Sequence, residues 1–136
     1  MTYLFGPPIT SLNRPFWRAA ARGVLRLPFC LTTSRSFWPP SPSSPFVAFG
    51  SVGWRDVRPR GVAEAKIIFR RPFEPVFGER VPYGIVQTRL ECGVRILVHA
   101  PDPYAVCPGD RFEIRLVRIV ERGSPIPVVA EETRHE

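Results

Sequence analysis

The stretch YGIVQTRLECGVRILVH, residues 83–99, decides how this chain folds. Tyr83–Glu91 reads as a strand, Cys92–Gly93 as a tight turn, and Val94–His99 as the returning strand. In the second run Val94, Ile96 and Val98 alternate with Arg95, Leu97 and His99. A period of two places one set on a packed face and the other away from it, with His99 facing solvent or Asp102 at a strand end. Working outward, Val62–Arg70 is an earlier strand carrying the β-branched pair Ile67 and Ile68, and a proline-bearing excursion runs from Pro72 to Pro82. Pro101–Pro108 is a crossover, and Gly109–Asp110 turns the chain. Arg111–Val120 sets Phe112, Ile114 and Leu116 against Arg111, Glu113 and Arg115, and Ser124–Ala130 completes the set.

Five strands with a longer third-to-fourth connection predict an all-β Greek-key barrel of the OB type. An SH3-like barrel has a similar strand pattern. Its 136 residues suit one compact domain with a short appendage. The expected division is 1–60 for the N-terminal segment, 61–130 for the barrel and 131–136 for a tail.

Many of the 17 prolines fall in the first 60 residues, which excludes one continuous helix or sheet there. Residues 1–13 read as an irregular arm. Asn13 is placed to cap a helix that tolerates Pro15 in its first turn and stops at Gly23. On that helix Arg14, Arg18 and Arg22 form a basic stripe, while Phe16 with Ala20 and Trp17 with Ala21 form apolar rows. Such a helix docks on its own barrel or on a partner. Residues 24–60 read as short extended pieces around an aromatic group of Phe37, Trp38 and Trp54.

Charge divides the chain. Residues 1–60 hold eight arginines and one acid, Asp56, whereas 61–136 hold eleven basic and eleven acidic residues. A front end of that sign favours an anionic partner such as nucleic acid, cofactor phosphates or an acidic protein surface. No stretch approaches the roughly 18–20 apolar residues of a membrane span. The acid-free, arginine-rich start has some transit-peptide character, but its helix motif accounts for it better. Three cysteines, Cys30, Cys92 and Cys107, without close pairing point to reduced thiols and a cytoplasmic setting.

Catalysis needs a nucleophile, a base and a group orienting the base. Only two histidines occur, His99 and His135, and no base stands near Cys92 in sequence. There is no phosphate-cradling glycine loop and no metal-binding spacing. The residues predict binding rather than chemistry.

From Arg14 to Ala130 the chain resembles the zinc-ribbon plus OB-fold proteins called domain of unknown function thirty-five. The matching pieces are Pro15–Phe16–Trp17, Gly23-x-Leu25-x-Leu27 leading to Cys30, and Trp38–Pro39–Pro40. They continue with Trp54, Gly61, Pro82–Tyr83, Leu90–Glu91-x-Gly93-x-Arg95, Gly109 and Pro127. The order and spacing carry the resemblance more than any one piece. It implies a rubredoxin-like ribbon before the barrel and a non-catalytic accessory role. The partner would be a thiolase-fold or aldolase subunit in a hetero-oligomer, with a coenzyme A thioester held in the complex and a channel for its pantetheine arm. The family ribbon uses four cysteines, but here Thr33, Ser44 and Val47 stand at the other ligand places and Cys30 alone remains, so no zinc is expected. Phe29, Phe37, Trp38, Phe46, Phe49 and Trp54 are expected to hold the ribbon instead. The expected partner or cofactor surface is Arg14, Phe16, Trp17, Arg18, Arg22, Trp38 and Arg95. The alternative is a single-stranded nucleic-acid-binding OB module, disfavoured because the barrel half is electrically neutral.

Overall fold

A computed structural model describes residues 9–71, 81–118 and 125–130. The Pro72–Pro82 excursion lies largely outside these residues, as do Ile119, Val120, Ser124, the 131–136 tail and residues 1–8. One helix, α1 (Arg14–Ala20), precedes seven strands. These are β1 (Arg26–Cys30), β2 (Val52–Asp56), β3 (Arg60–Phe69), β4 (Tyr83–Leu90), β5 (Arg95–Ala100), β6 (Arg111–Val117) and β7 (Ile126–Val129). Strands β3–β7 close a barrel in the order β3-β4-β5-β7-β6. Strands β5 and β7 run parallel and the other neighbours antiparallel, the arrangement expected of an OB-type barrel.

Period-two patterning places the barrel core as read from the sequence. Val94, Ile96, Val98, Phe112 and Ile114 are buried, whereas Arg95, Leu97, Arg111 and Arg115 are exposed. His99 departs from the alternation: it is 2% exposed, with its ring 5.5 Å from that of Tyr83. Tyr83 is buried together with Ile85, the residue opposite His99 on β4, in a second small cluster, and His99 lies against it.

Strand ends shift slightly. β3 begins at Arg60 rather than Val62, because Arg60 and Gly61 pair with Glu113 and Phe112 of β6. β5 is Arg95–Ala100 rather than Val94–His99, and β7 covers only the middle of the expected run.

The helix is shorter than its pattern suggests. Gly23, at φ +78°, closes it through Gly23 N–H donating to the Ala20 carbonyl and Val24 N–H to the Ala19 carbonyl. Arg22 therefore sits beyond α1, and only Arg14 and Arg18 share the helix. Asn13 occupies the N-cap without a side-chain cap; its Oδ1 accepts from Thr10 N–H at 2.7 Å instead. Pro15 explains this, since it removes a backbone donor that such a cap would satisfy. Phe16, Trp17 and Ala20 are buried in the same cluster as barrel residues Val86, Leu90, Ile96 and Phe112. The helix docks on its own barrel.

Strands β1 and β2 form an antiparallel ribbon with Leu25 and Leu27 in that same cluster. Phe37 is buried, with Phe46 edge-on to it at 6.1 Å. Trp38 and Trp54 pack against the main core. Phe49 does not help hold the ribbon, because it is 99% exposed.

Gly61 marks the tightest crossing of β3 over β4. A Cβ there would stand 2.6 Å from both the Arg89 carbonyl oxygen and Thr88 Cγ2. Because part of the obstacle is backbone, Gly61→Ala should destabilise the fold by about 1–3 kcal/mol, measured by chemical denaturation. An unchanged midpoint would show that the crossing has slack.

Candidate functional site

The seam between β5 and β7 is short, with one paired position. Beside it a cleft of about 620 Å³ separates the barrel wall from the N-terminal elements. Phe16 and Trp17 of α1 form one wall, and Trp38, Pro39 and Pro40 after β1 form another. Ile96 and Leu97 of β5 and Ile126 and Pro127 of β7 supply the barrel side, with Asn13, Gln87 and Arg95 as the polar members. Trp38 lies against Phe16 at 4.8 Å between ring centroids, and Phe16 meets Trp17 edge-on at 4.9 Å. The Trp17 indole N–H is buried with no acceptor among the described residues. A buried donor left unpaired costs about 1–3 kcal/mol.

Arg95 is oriented, not loose. Its Nε donates to Glu64 Oε1 at 2.7 Å, and Arg89 Nε donates to Glu64 Oε2 at 2.9 Å. These bonds, Arg95 first, hold the Glu64 carboxyl down at about 2 against the opposing effect of burial.

Of the surface residues expected from sequence, Phe16, Trp17, Trp38 and Arg95 meet at this cleft. Phe16 and Trp17 are nevertheless buried, 4% and 8% exposed, because their apolar area packs into the barrel core. Arg14, Arg18 and Arg22 are exposed and outside the cleft lining. Arg22 lies within electrostatic reach of Asp56, whose carboxyl is held down chiefly by its 2.6 Å bond to Arg26. Gln87, Leu97, Ile126 and Pro127 carry no local signal, because their proximity exists only once the barrel closes.

Among the lining residues there is no Cys, His, Asp or Glu. His99 is buried against Tyr83, and Cys92 and Cys107 are exposed elsewhere. The arrangement offers shape, an apolar floor and hydrogen-bond donors, which suit binding.

A second cluster sits in the two turns of the ribbon, the first knuckle at Cys30–Thr33 and the second at Ser44–Val47. Cys30 Sγ accepts from Thr33 N–H at 3.4 Å, and Ser44 Oγ accepts from Phe46 N–H at 3.0 Å and Val47 N–H at 3.4 Å. The Ser44 and Thr33 hydroxyls also bond the Cys30 thiol. Cys30, Thr33, Ser44 and Val47 thus belong to one chain of contacts. Among the described residues, no three His, Cys, Asp or Glu side chains come together.

No protein-family model and no curated protein matches the sequence. Solved structures do match in shape. One, the Ltp2-ChsH2(DUF35) aldolase, superposes with a TM-score of 0.78 at 21% identity, covering 90% of this chain and 96% of that one. Another, a DUF35-family protein of unknown function from Sulfolobus solfataricus, gives a TM-score of 0.61 at 13% identity, covering 90% and 85%. The fold is shared with both. All three elements that frame the cleft, namely helix, ribbon and barrel, lie within a chain that is 90% covered in each comparison.

Hydrogen bonds from Ser44 and then Thr33 lower the Cys30 thiol to about 7 from 9.0, outweighing its burial. A folded value below the unfolded one stabilises the protein fully above about 9, and this contribution disappears as pH falls through about 7. Under reducing conditions, the stability advantage of wild type over Cys30→Ser should therefore grow as pH rises across that window in urea titrations. A pH-independent difference would contradict the assignment.

Proposed function

We propose that this chain is a non-catalytic accessory subunit of an aldolase- or thiolase-type acyl-CoA complex. It steadies the catalytic partner and helps wall the channel for the acyl-pantetheine arm. The observation that carries this reading is a fold shared, over nearly the whole chain, with a structure described as an aldolase containing a DUF35 component. The cleft supports it from a second direction, since it is apolar, sizeable and without a reactive side chain.

Electrostatics agrees with such a role. Arg26 pairs with Asp56, while Arg58 and Arg60 face Glu91 and Glu113. Arg14, Arg18, Arg35 and Arg55 make no ion pair with a carboxylate among the described residues. Arginine forks suit the phosphates of coenzyme A and carboxylates on a partner surface.

The reading also includes a ribbon that works without zinc. One thiol, two neutral hydroxyls and a valine do not supply the four-ligand tetrahedral set that structural zinc requires. The purified protein should contain zinc far below one equivalent by elemental analysis; a stoichiometric content would reverse this. Thr33→Cys, Ser44→Cys and Val47→Cys combined should bind one zinc per chain, if those positions retain ligand geometry around Cys30.

For the assembly itself, Arg14→Glu, Arg18→Glu and Arg22→Glu together should weaken co-purification of the catalytic subunit and its cleavage or condensation of acyl-CoA. Intact assembly and intact partner activity would remove the basic front end from the interface. Thioester turnover by the isolated chain would overturn the accessory role.

A further inference from the structure

The ribbon tip holds a feature that neither the barrel nor the cleft explains. Phe49 stands in the left-handed backbone region at φ +57°, and its side chain is 99% exposed. Both are unfavourable for a bulky aromatic residue: that region is largely left to glycine and asparagine, and an exposed ring forfeits its burial energy. Leu31, 55% exposed, belongs to the opposite knuckle, tied to the same tip through Leu31 N–H donating to the Ser51 carbonyl at 3.0 Å. The knob has a firm base. Ser44 N–H donates to the Gly50 carbonyl at 2.9 Å, and the Ser44 hydroxyl gathers the amides of Phe46 and Val47.

Its surroundings are cationic. No acidic residue occurs before Asp56 in the chain, and Asp56 sits at the far end of the ribbon, paired with Arg26. Arg35 lies over the Phe46 ring at 3.9 Å from its centroid. Arg55 lies over Phe29 at 4.4 Å and donates to the Ser34 carbonyl in the first knuckle. Like charge on two such tips argues against a second copy of this chain as the occupant. Two apolar side chains are also a small anchor for a lipid surface, where stable attachment takes more than one weak signal. A solvent-facing aromatic on a cationic ribbon is the profile of an interface anchor entering a pocket on a protein.

We infer that the ribbon tip is a docking element: Phe49, flanked by Leu31, inserts into an apolar pocket rimmed by carboxylates on the catalytic partner. This rests on the accessory-subunit reading and adds a contact point independent of the cleft. It also gives the knuckles a purpose once their metal ligands are gone, which is to hold Phe49 outward.

Phe49→Gly separates a docking role from a structural one. Glycine is at ease at that φ, so the thermal midpoint of the full-length chain should stay the same or rise. Affinity for the purified catalytic subunit of the complex, measured by biolayer interferometry, should fall by at least about tenfold. Ile67→Gln, at an exposed apolar residue on β3 outside the cleft, serves as the matched comparison and should keep the wild-type affinity. Unchanged affinity for Phe49→Gly would overturn the anchor while leaving the accessory reading intact, as would a lowered thermal midpoint together with unchanged binding. Failure of the wild-type chain to bind any catalytic subunit would instead overturn the accessory reading and the anchor with it. Binding of wild type, but not Phe49→Gly, to phosphatidylglycerol vesicles would assign the knob to lipid and refute a protein pocket.

Discussion

Burial of Phe16, Trp17, Leu25 and Leu27 against barrel residues is the contact on which the other features depend. A helix of seven residues is too short to be stable alone, and an isolated two-stranded ribbon is marginal at best. Each large apolar side chain moved from water into such a core contributes about 1.5–3 kcal/mol, enough to fasten both elements to the barrel. Once fastened, α1 brings Phe16 under Trp38, and the space left beside β5 and β7 becomes the cleft. The site is a by-product of how the appendage is anchored.

Charge is organised around that anchoring. On the barrel, Glu64 gathers Arg89 and Arg95, and Glu91 and Glu113 gather Arg58 and Arg60. These partly exposed pairs add little stability individually, but they settle which arginines are already spoken for. Arg14 and Arg18 on α1, and Arg35 and Arg55 on the ribbon, have no acidic partner among the described residues. A neutral barrel thus carries a positive front, with the apolar cleft beside the joint between them.

In the knuckles a thiol, two hydroxyls and backbone amides form a hydrogen-bonded cluster. Each such bond contributes about 0.5–1.5 kcal/mol. Phe37, Trp38 and Trp54 pack inward beside it, and Arg35 and Arg55 cover Phe46 and Phe29. Phe49 is excluded from that packing, and its exposure becomes informative for that reason.

Local pattern alone determined the barrel strands, because alternation in Val94–Val98 and Phe112–Ile114 reports directly which side chains leave water. It also determined the charge division, which is a matter of composition. Only the tertiary structure decided that β7 would slot between β5 and β6, since strand order depends on closure across distant segments. That choice creates the seam and brings Pro127 opposite Phe16 and Trp17 across the cleft. The exposure of Phe49 was equally beyond reach of the pattern. An aromatic among prolines and serines reads as core until the folded backbone, turning at positive φ, points it into solvent.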